Sequence, residues 1–217
     1  IGSTEGDEVK GVTVDNSGDV YIAGYSKGNF DGFTNTPMDS GGSTTDDAYL
    51  VKYNSLGTKL WGHQLGANGE QVTYDTTTDS SGNVYIVGTS QNDLGGQTNA
   101  GSYDIFVVKY NSSGTRQWTR LAGDSSSDQA FGVVTDSSDN VYVGGRLDNS
   151  GAGNPGGPGD ILLTKYNSSG TKLWSSETSG GSSGSNLEDL AIDPIGDLYV
   201  TGYTQASLDG YSNAGGK

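Results

Sequence analysis

The feature that most constrains the fold is an internal repeat of about 57 residues. The block Lys-Tyr-Asn-Ser-x-Gly-Thr-(Lys/Arg)-x-Trp occurs three times, and its tryptophans stand at positions 61, 118 and 174, which are 57 and 56 residues apart. A second block runs from an aspartate to a tyrosine six residues later; it occurs four times and begins at Asp15, Asp79, Asp136 and Asp193. Repetition at this length is typical of an array of similar structural units.

Each repeat divides into four short strands separated by turns rich in Gly, Asn, Asp and Ser. Alternating Val, Tyr and Ile residues favour half-buried strands, and the turn residues favour antiparallel neighbours. The first strands are predicted at 9–15, 72–79, 130–136 and 187–193, and the second at 20–25, 84–89, 141–146 and 198–203. The third are predicted at 48–53, 105–110 and 161–166, and the fourth at 59–64, 116–120 and 172–176.

Four antiparallel strands in every repeat predict an all-β protein of the β-propeller class. A β-sandwich has no reason to repeat its sequence, and the coils of a β-solenoid are much shorter. We expect one domain over residues 1–217, with blades at about 7–64, 65–121 and 122–178 and a half-blade at about 179–217. Propellers usually have at least four blades. Because an unpaired half-blade exposes strand edges, we expect a second copy or the rest of a longer chain to complete it.

Composition excludes several function classes. The chain is only 31% hydrophobic and carries a net charge of −15, values close to those of disordered proteins, but its apolar residues concentrate in the repeated strands. There is no cysteine, so disulfides and thiolate metal sites are excluded. The negative charge argues against a nucleic-acid partner, and no apolar run is long enough to insert into a membrane.

The recurring residues resemble a known family. The repeat begins with Asp-x-Ser-Gly-Asn-Val-Tyr-(Ile/Val)-x-Gly and continues with Asp-Gly-x-(Thr/Ser)-Asn-Ala-Gly. It ends with Asp-Ala-(Phe/Tyr)-x-x-Lys-Tyr-Asn-Ser-x-Gly-Thr-Lys-x-Trp. Together these three segments resemble the SBBP (beta-propeller repeat) family. The resemblance covers essentially the whole chain, although residues 151–159 and the insertion at 41–47 depart from the linker pattern. It implies a bacterial protein that is secreted or attached to the cell surface, in a family often without an assigned activity.

The repeated aspartate turns are the candidates for a metal site. Their carboxylates lie close in sequence to the amide groups of Asn83 and Asn140, and such oxygen ligands suit Ca²⁺. The alternative is that each aspartate only caps its own turn. The candidate calcium ligands are Asp15, Asp19, Asp79, Asp136, Asp193 and Asp197.

Evidence for catalysis is sparse. The lone histidine, His63, lacks the partners of a nucleophilic triad and is predicted to be a surface strand residue. A glycosidase would need two carboxylates with opposed pKa values. The non-repeated acids Glu70, Glu177 and Glu188 are the alternatives for this role, together with Asp75 and Asp189, which replace Gly11 and Gly132 at one aligned position. We predict no catalytic residue and no cofactor, with Ca²⁺ as the alternative.

The aromatic residues of the repeats have two possible roles. The repeated tyrosines and tryptophans are predicted to fill the gaps between blades, and the alternative is a stacking platform for sugars. The repeated aromatic positions are Tyr21, Tyr85, Tyr142 and Tyr199, with Trp61, Trp118 and Trp174.

These observations predict a non-enzymatic extracellular or cell-surface propeller that acts as a structural, protein-interaction or ligand-binding module. Recognition is expected on the loops at 27–46, 91–103, 147–159 and 205–216, because loops on a rigid scaffold commonly carry binding sites. The expected ligands are proteins or glycans. The alternative function is a carbohydrate-active propeller, either a lectin or a glycosidase or lyase.

Overall fold

The computed structural model describes residues 2–29, 45–66, 69–148, 159–178 and 185–204. These residues form β-strands and turns; none of them belongs to a helix that could cross a membrane. The strands are β1 (Asp7–Val14), β2 (Val20–Ser26), β3 (Asp47–Tyr53), β4 (Lys59–Leu65), β5 (Gln71–Thr78), β6 (Val84–Ser90), β7 (Asp104–Tyr110), β8 (Arg116–Ala122), β9 (Gln129–Thr135), β10 (Val141–Asp148), β11 (Gly159–Tyr166), β12 (Lys172–Thr178), β13 (Ser185–Ile192) and β14 (Leu198–Thr204).

The strands form antiparallel sheets in the order in which they occur along the chain. Strands β1–β4 form the first blade, β5–β8 the second and β9–β12 the third, while β13 and β14 pair with each other as a half-blade. The first strands of successive blades contact one another, and the described sheets form an open row. This arrangement confirms the predicted all-β propeller architecture of about three and a half blades, and every predicted strand end lies within two residues of the observed one.

The hydrophobic core lies between the blades. Both faces of a central strand carry apolar side chains, so that one face packs against the preceding blade and the other against the following blade. Between the first and second blades, Leu50 and Leu65 pack with Ile86 and Phe106. The second and third blades are joined in the same way by a cluster that includes Val87, Val107, Val143 and Leu162. A single blade therefore has no complete core of its own.

A β-bulge recurs in the first strand of every blade and explains a glycine of the repeat. The register of pairing shifts between Val9 and Gly11 in β1, and at the corresponding place in β5, β9 and β13. A glycine of the second strand faces each bulge so closely that a Cβ atom would contact a carbonyl oxygen of the first strand. These glycines are Gly24, Gly88, Gly145 and Gly202. The glycine three residues after the repeated tyrosine is therefore required for the two strands to approach each other.

Candidate functional site

The repeated aspartates hold the turns between the first and second strands. In the second blade, one carboxylate oxygen of Asp79 accepts hydrogen bonds from the backbone amides of Ser81 and Asn83, at 3.0 and 2.9 Å. Asp15, Asp136 and Asp193 accept the same pair of backbone hydrogen bonds from residues two and four positions further on. The turn-capping alternative is therefore the role in which the structure places these side chains.

The second carboxylate oxygen of each aspartate contacts a tyrosine and, in the three complete blades, a lysine. The Tyr85 hydroxyl donates to Asp79 at 2.9 Å, and the Lys109 ammonium lies 3.2 Å from the same oxygen and 4.9 Å from the centre of the Tyr85 ring. We name this arrangement the Asp–Tyr–Lys cluster. Its members are Asp15, Tyr21 and Lys52 in the first blade, Asp79, Tyr85 and Lys109 in the second, and Asp136, Tyr142 and Lys165 in the third.

The clusters of the first two blades also connect their blade to the next. Lys52 donates to the carbonyl oxygen of Ser112 at 3.3 Å, and the indole N–H of Trp61 donates to the same oxygen at 3.1 Å. Lys109 and Trp118 both donate to Ser168 in the same way, at 3.1 Å each. We name each set of contacts a blade junction. The aromatic residues of the first two blades thus lie between blades, as predicted, and their tyrosines are fully buried. Trp174 and Tyr199 are instead 41% and 55% exposed.

The hydrogen bonds of the cluster stabilise the charged form of the aspartates. Burial alone would raise the pKa of Asp136, but the bonds from Asn140, from backbone amides and from Lys165 outweigh it and lower the pKa to about 2. The pKa of Asp79 is also lowered, because bonds from Asn83, Tyr85 and Lys109 outweigh the effect of burial. The pKa of Lys165 is raised, first by its hydrogen bond with Tyr142.

Four of the six candidate calcium ligands contact a lysine. Asp15, Asp79 and Asp136 already face a lysine ammonium, and Lys52 also contacts Asp19 at 3.0 Å. Within the described ranges, no three His, Cys, Asp or Glu side chains are grouped so that they could hold a metal ion. Calcium binding stays a prediction; if it occurs, added Ca²⁺ should raise the melting temperature and a chelator should lower it.

A glycine in the turn of the next blade makes room for each junction, which gives a testable prediction. Gly114 has φ of +84°, and a Cβ atom there would lie 2.9 Å from Trp61 and 3.0 Å from His63. Gly57 has nearly the same φ, +81°, but nothing within 4 Å of the added atom. We expect Gly57→Ala to cost about 1 kcal/mol through backbone strain, and Gly114→Ala about 2–3 kcal/mol, because crowding against the rings adds to the strain. Equal losses on urea denaturation would contradict the junction geometry.

The lone histidine lies on a strand, as predicted, but it is not a surface residue. His63 lies half-buried in β4, with its ring 5.4 Å from the Trp61 ring and stacked on Tyr110 at 5.3 Å. This position makes it part of the packing between the first and second blades, because Tyr110 belongs to the second.

One aligned position of the first strands holds a glycine in β1 and β9 and an aspartate in β5 and β13, and this difference has a structural cause. Asp75 accepts a hydrogen bond from the backbone amide of Val133 at 2.9 Å and another from Thr76, so its carboxylate joins β5 to β9. Gly11 lies against Thr76, and a Cβ atom there would be 2.9 Å from it. A Cβ atom on Gly132 would be 3.1 Å from Leu190 of β13. The two glycines thus allow the first strand of the following blade to approach their own strand closely.

The other non-repeated acids lie in separate surroundings. Glu70 accepts a hydrogen bond from the Tyr103 hydroxyl at 3.3 Å, and burial raises its pKa. Glu188 is exposed and accepts a bond from Asn186, while Glu177 lies near the end of β12. The structure therefore does not bring Glu70, Glu177 and Glu188 together within the described residues.

The pKa values of two other aspartates shift in the opposite direction from those of the cluster aspartates. Burial raises the pKa of Asp75 to about 6, and the nearby charge of Asp189 adds to the effect. Burial also raises the pKa of Asp128 to about 6, with contributions from Asp124 and Asp104. The sequence offered no signal for Asp128, since its burial depends on the loop before β9 folding back over it, where the backbone of Asp124 donates to its carboxylate at 2.7 Å.

These opposite shifts predict a maximum of stability in mildly acidic solution. Between the unfolded value of 3.8 and the folded value of about 6, the folded state binds more protons, so the free energy of unfolding should fall as pH rises through this window. The effect is at most about 3 kcal/mol for each group. Below pH 3.8 the cluster aspartates, with Asp136 at about 2, lose their stabilising contribution as they become protonated.

Urea denaturation at a series of pH values measures this profile, with Asp75→Asn as the variant. The wild-type free energy of unfolding should be greatest near pH 4–5, and Asp75→Asn should flatten the decline towards neutral pH. A wild-type value that rises from about pH 4.5 to 6.5 would contradict the assignment.

The two ends of the row of blades expose residues that are buried elsewhere. On β1, Val9 and Val12 are 63% and 64% exposed, whereas the residues aligned with them in β5, β9 and β13 are all buried. On β14, Tyr199 is 55% exposed, although the aligned Tyr21 and Tyr85 are 0% exposed. Tyr203, on the same side of the strand, is also 55% exposed. We name these surfaces the β1 face and the half-blade face.

The half-blade contains an incomplete cluster. Asp193 accepts its two backbone hydrogen bonds and a bond from the Tyr199 hydroxyl at 3.2 Å. Within the part of the chain that the structure describes, β14 pairs only with β13, and no lysine contacts Asp193. Sequence reasoning missed the lysine of the cluster. One feature could have revealed it, namely a charged residue that recurs inside the otherwise apolar third strand.

Comparison with known proteins agrees with this architecture. Residues 1–31, 60–96 and 117–146 match the SBBP family, described as "Beta-propeller repeat". The regulatory protein FlaEY of Caulobacter vibrioides is 25% identical over 162 residues, which are 68% of this chain and 17% of that protein. The chain thus spans less than a fifth of that relative's length. The row of four-stranded sheets and the three matched regions confirm the predicted resemblance: these three regions match the SBBP beta-propeller repeat.

Proposed function

We propose that this chain is a non-enzymatic propeller module that binds other proteins through the two open ends of its row of blades. The observation that carries the proposal is the exposure of the β1 face and the half-blade face. Contiguous apolar patches on a soluble protein commonly mark protein-binding surfaces. Here Val12 and Tyr199 occupy positions that are buried against a neighbouring blade or strand wherever such a neighbour is present.

The partner in this proposal is another copy of the chain or the rest of a longer chain that completes the propeller. Both would supply a sheet with the same packing periodicity, because the exposed positions are repeat positions. The FlaEY relative is named as a regulatory protein. Binding another protein is a common way to regulate it, and this supports the proposal without specifying the target.

The non-enzymatic part of the proposal rests on how the acidic side chains are used. The repeated aspartates cap turns and pair with lysines, and Asp75 joins two first strands. Incubation with a panel of bacterial and plant polysaccharides tests this part. We expect no release of reducing sugar, and release of sugar that tracks the purified protein would contradict it.

Sedimentation velocity over a wide range of protein concentrations tests binding by the ends. We expect association of the wild type that is weakened by Val12→Lys, because a lysine would place a charge in the apolar β1 face. Leu56→Lys is the matched control, since Leu56 is 89% exposed in a turn away from this face. A wild type that stays monomeric at the highest concentration, or equal effects of both variants, would contradict the proposal.

The proposal places the protein outside the cell or at the cell surface. A strongly acidic surface suits a protein that must remain soluble outside the cell. Immunodetection in culture medium, on intact cells and in the cell lysate tests this. Detection confined to the lysate would contradict it.

A further inference from the structure

The three complete blades establish how a third strand is recognised. In each of them a lysine of the third strand stands directly opposite the repeated tyrosine of the second, in the pairs Tyr21 and Lys52, Tyr85 and Lys109, and Tyr142 and Lys165. The lysine ammonium then lies 3.3, 3.2 and 3.1 Å from the aspartate of its turn. The backbone register and the ion pair are therefore linked: a strand that pairs one residue out of register places its lysine on the other face.

The half-blade presents the acceptor side of this arrangement. Asp193 and Tyr199 already have the same mutual geometry as in the complete blades, and the backbone bonds of the turn are formed. Asp197 corresponds to Asp19, which in the first blade contacts Lys52 together with Asp15. A lysine opposite Tyr199 would thus meet two carboxylates, as Lys52 does.

An apolar groove next to the open edge completes the surface. A cavity of about 280 Å³ lies between the third blade and the half-blade, and Ile161, Leu163 and Val200 contribute to its lining. In the complete blades the corresponding space is filled by third-strand side chains that face the preceding blade, such as Phe106 and Val108. The groove therefore suits apolar side chains at alternate positions of an added strand.

We propose that the outer edge of β14 binds an extended segment of a partner polypeptide with the pattern Asp-x-apolar-x-apolar-Lys-Tyr, whose lysine ion-pairs with Asp193 and Asp197. The inference rests on the proposed function and names the chemistry of the partner at one of its two ends. Main-chain hydrogen bonds to β14 provide affinity, and the lysine selects the register.

A second copy of the chain is a poor source of this segment. The lysine-bearing strands β3, β7 and β11 are each paired on both sides within their own blades. Releasing one of them would break two rows of backbone hydrogen bonds to form a single one. The occupant is therefore a segment that is not already part of a complete blade.

The test uses the full chain and a labelled peptide with the sequence of residues 104–118, which contains the pattern, the turn after it and the first three residues of the following strand. The matched control peptide carries Lys109→Met, and a third peptide has the same composition in scrambled order. Fluorescence anisotropy measures binding to the wild type and to Asp193→Asn, which keeps an oxygen for the backbone amides. Thermal unfolding by circular dichroism confirms that the variant is folded.

We expect the lysine peptide to bind wild type at least about tenfold more tightly than the methionine peptide, an energy difference typical of a close charge pair. Asp193→Asn should weaken binding of the lysine peptide by a similar factor and leave binding of the methionine peptide nearly unchanged. Equal binding of the two peptides would overturn the lysine pairing while leaving protein binding by the ends intact. If no peptide binds but the chain associates through the β1 face, only the edge site is overturned. If neither peptide binding nor association occurs, both proposals fail.

Discussion

Replacing Asp79 with alanine is expected to lower the free energy of unfolding by about 3–5 kcal/mol, the usual result of removing one member of a buried ion pair. The side chain is almost completely buried, and it accepts bonds from its turn, from Tyr85 and from Lys109. Its removal leaves the Lys109 ammonium buried without a carboxylate, beside the Ser168 carbonyl and the Tyr85 ring. Denaturation in urea, followed by tryptophan fluorescence, measures the loss.

The half-blade supplies the matched control for this variant. Asp193 caps an equivalent turn, but its surroundings are exposed and no described lysine depends on it. Asp193→Ala should therefore destabilise the chain much less than Asp79→Ala. Similar losses in the two variants would show that the turn bonds alone account for the stability and that the lysine pair contributes little.

Trp118→Ala is expected to cost about 3–5 kcal/mol, because a large ring is removed from a packed interface. The indole packs against Tyr85 of its own blade and Tyr166 of the next, and it donates to Ser168. A Cβ atom on Gly170 would lie 2.8 Å from the ring, so this glycine fits closely against it. The substitution should loosen the contact between the second and third blades.

Trp174 is the control for this second variant. It occupies the same repeat position and contacts Tyr142 of its own blade, yet it is 41% exposed. Trp174→Ala should cost markedly less than Trp118→Ala. Equal costs would contradict the view that the tryptophans stabilise the protein mainly by joining successive blades.

The strands were predictable from the sequence because the repeat fixes their number and the alternation of Val, Tyr and Ile fixes their position. The β-bulges were not predictable in the same way. The glycine at position 88 is visible in the sequence, but its reason is a carbonyl of Val72 on the neighbouring strand, which only the paired structure reveals. The same holds for Gly114, whose neighbour Trp61 lies more than fifty residues earlier in the chain.

The candidate site was predictable only in part. The aspartate turns were recognised, and the choice between turn capping and calcium binding was left open. The lysines are not evident from the sequence, because each reaches an aspartate that lies far from it along the chain. Lys52 and Lys109 also reach a serine carbonyl of the following blade. The sequence marks Asp75 as a break in the repeat symmetry and as one of the alternatives for catalysis, whereas its hydrogen bond from Val133 places it in the packing of the first strands.

The predicted recognition loops at 27–46, 147–159 and 205–216 fall mostly or entirely outside the described residues. The loop at 91–103 is described and is held by its own contacts: Leu94 is buried in the core between the first and second blades, and Asn99 donates to the backbone of Ser90 at 2.8 Å. Binding by this loop stays a prediction.

The central claim, that the row of blades has an open edge at β14, is tested most directly by hydrogen–deuterium exchange of the full chain at a concentration where it is monomeric. Amides of β14 should exchange at least about a hundredfold faster than those of β6 and β10, which are paired on both sides. They should gain protection when the lysine-bearing peptide is added. Protection of β14 equal to that of β6 in the free monomer would contradict the account, because its edge would then already be occupied.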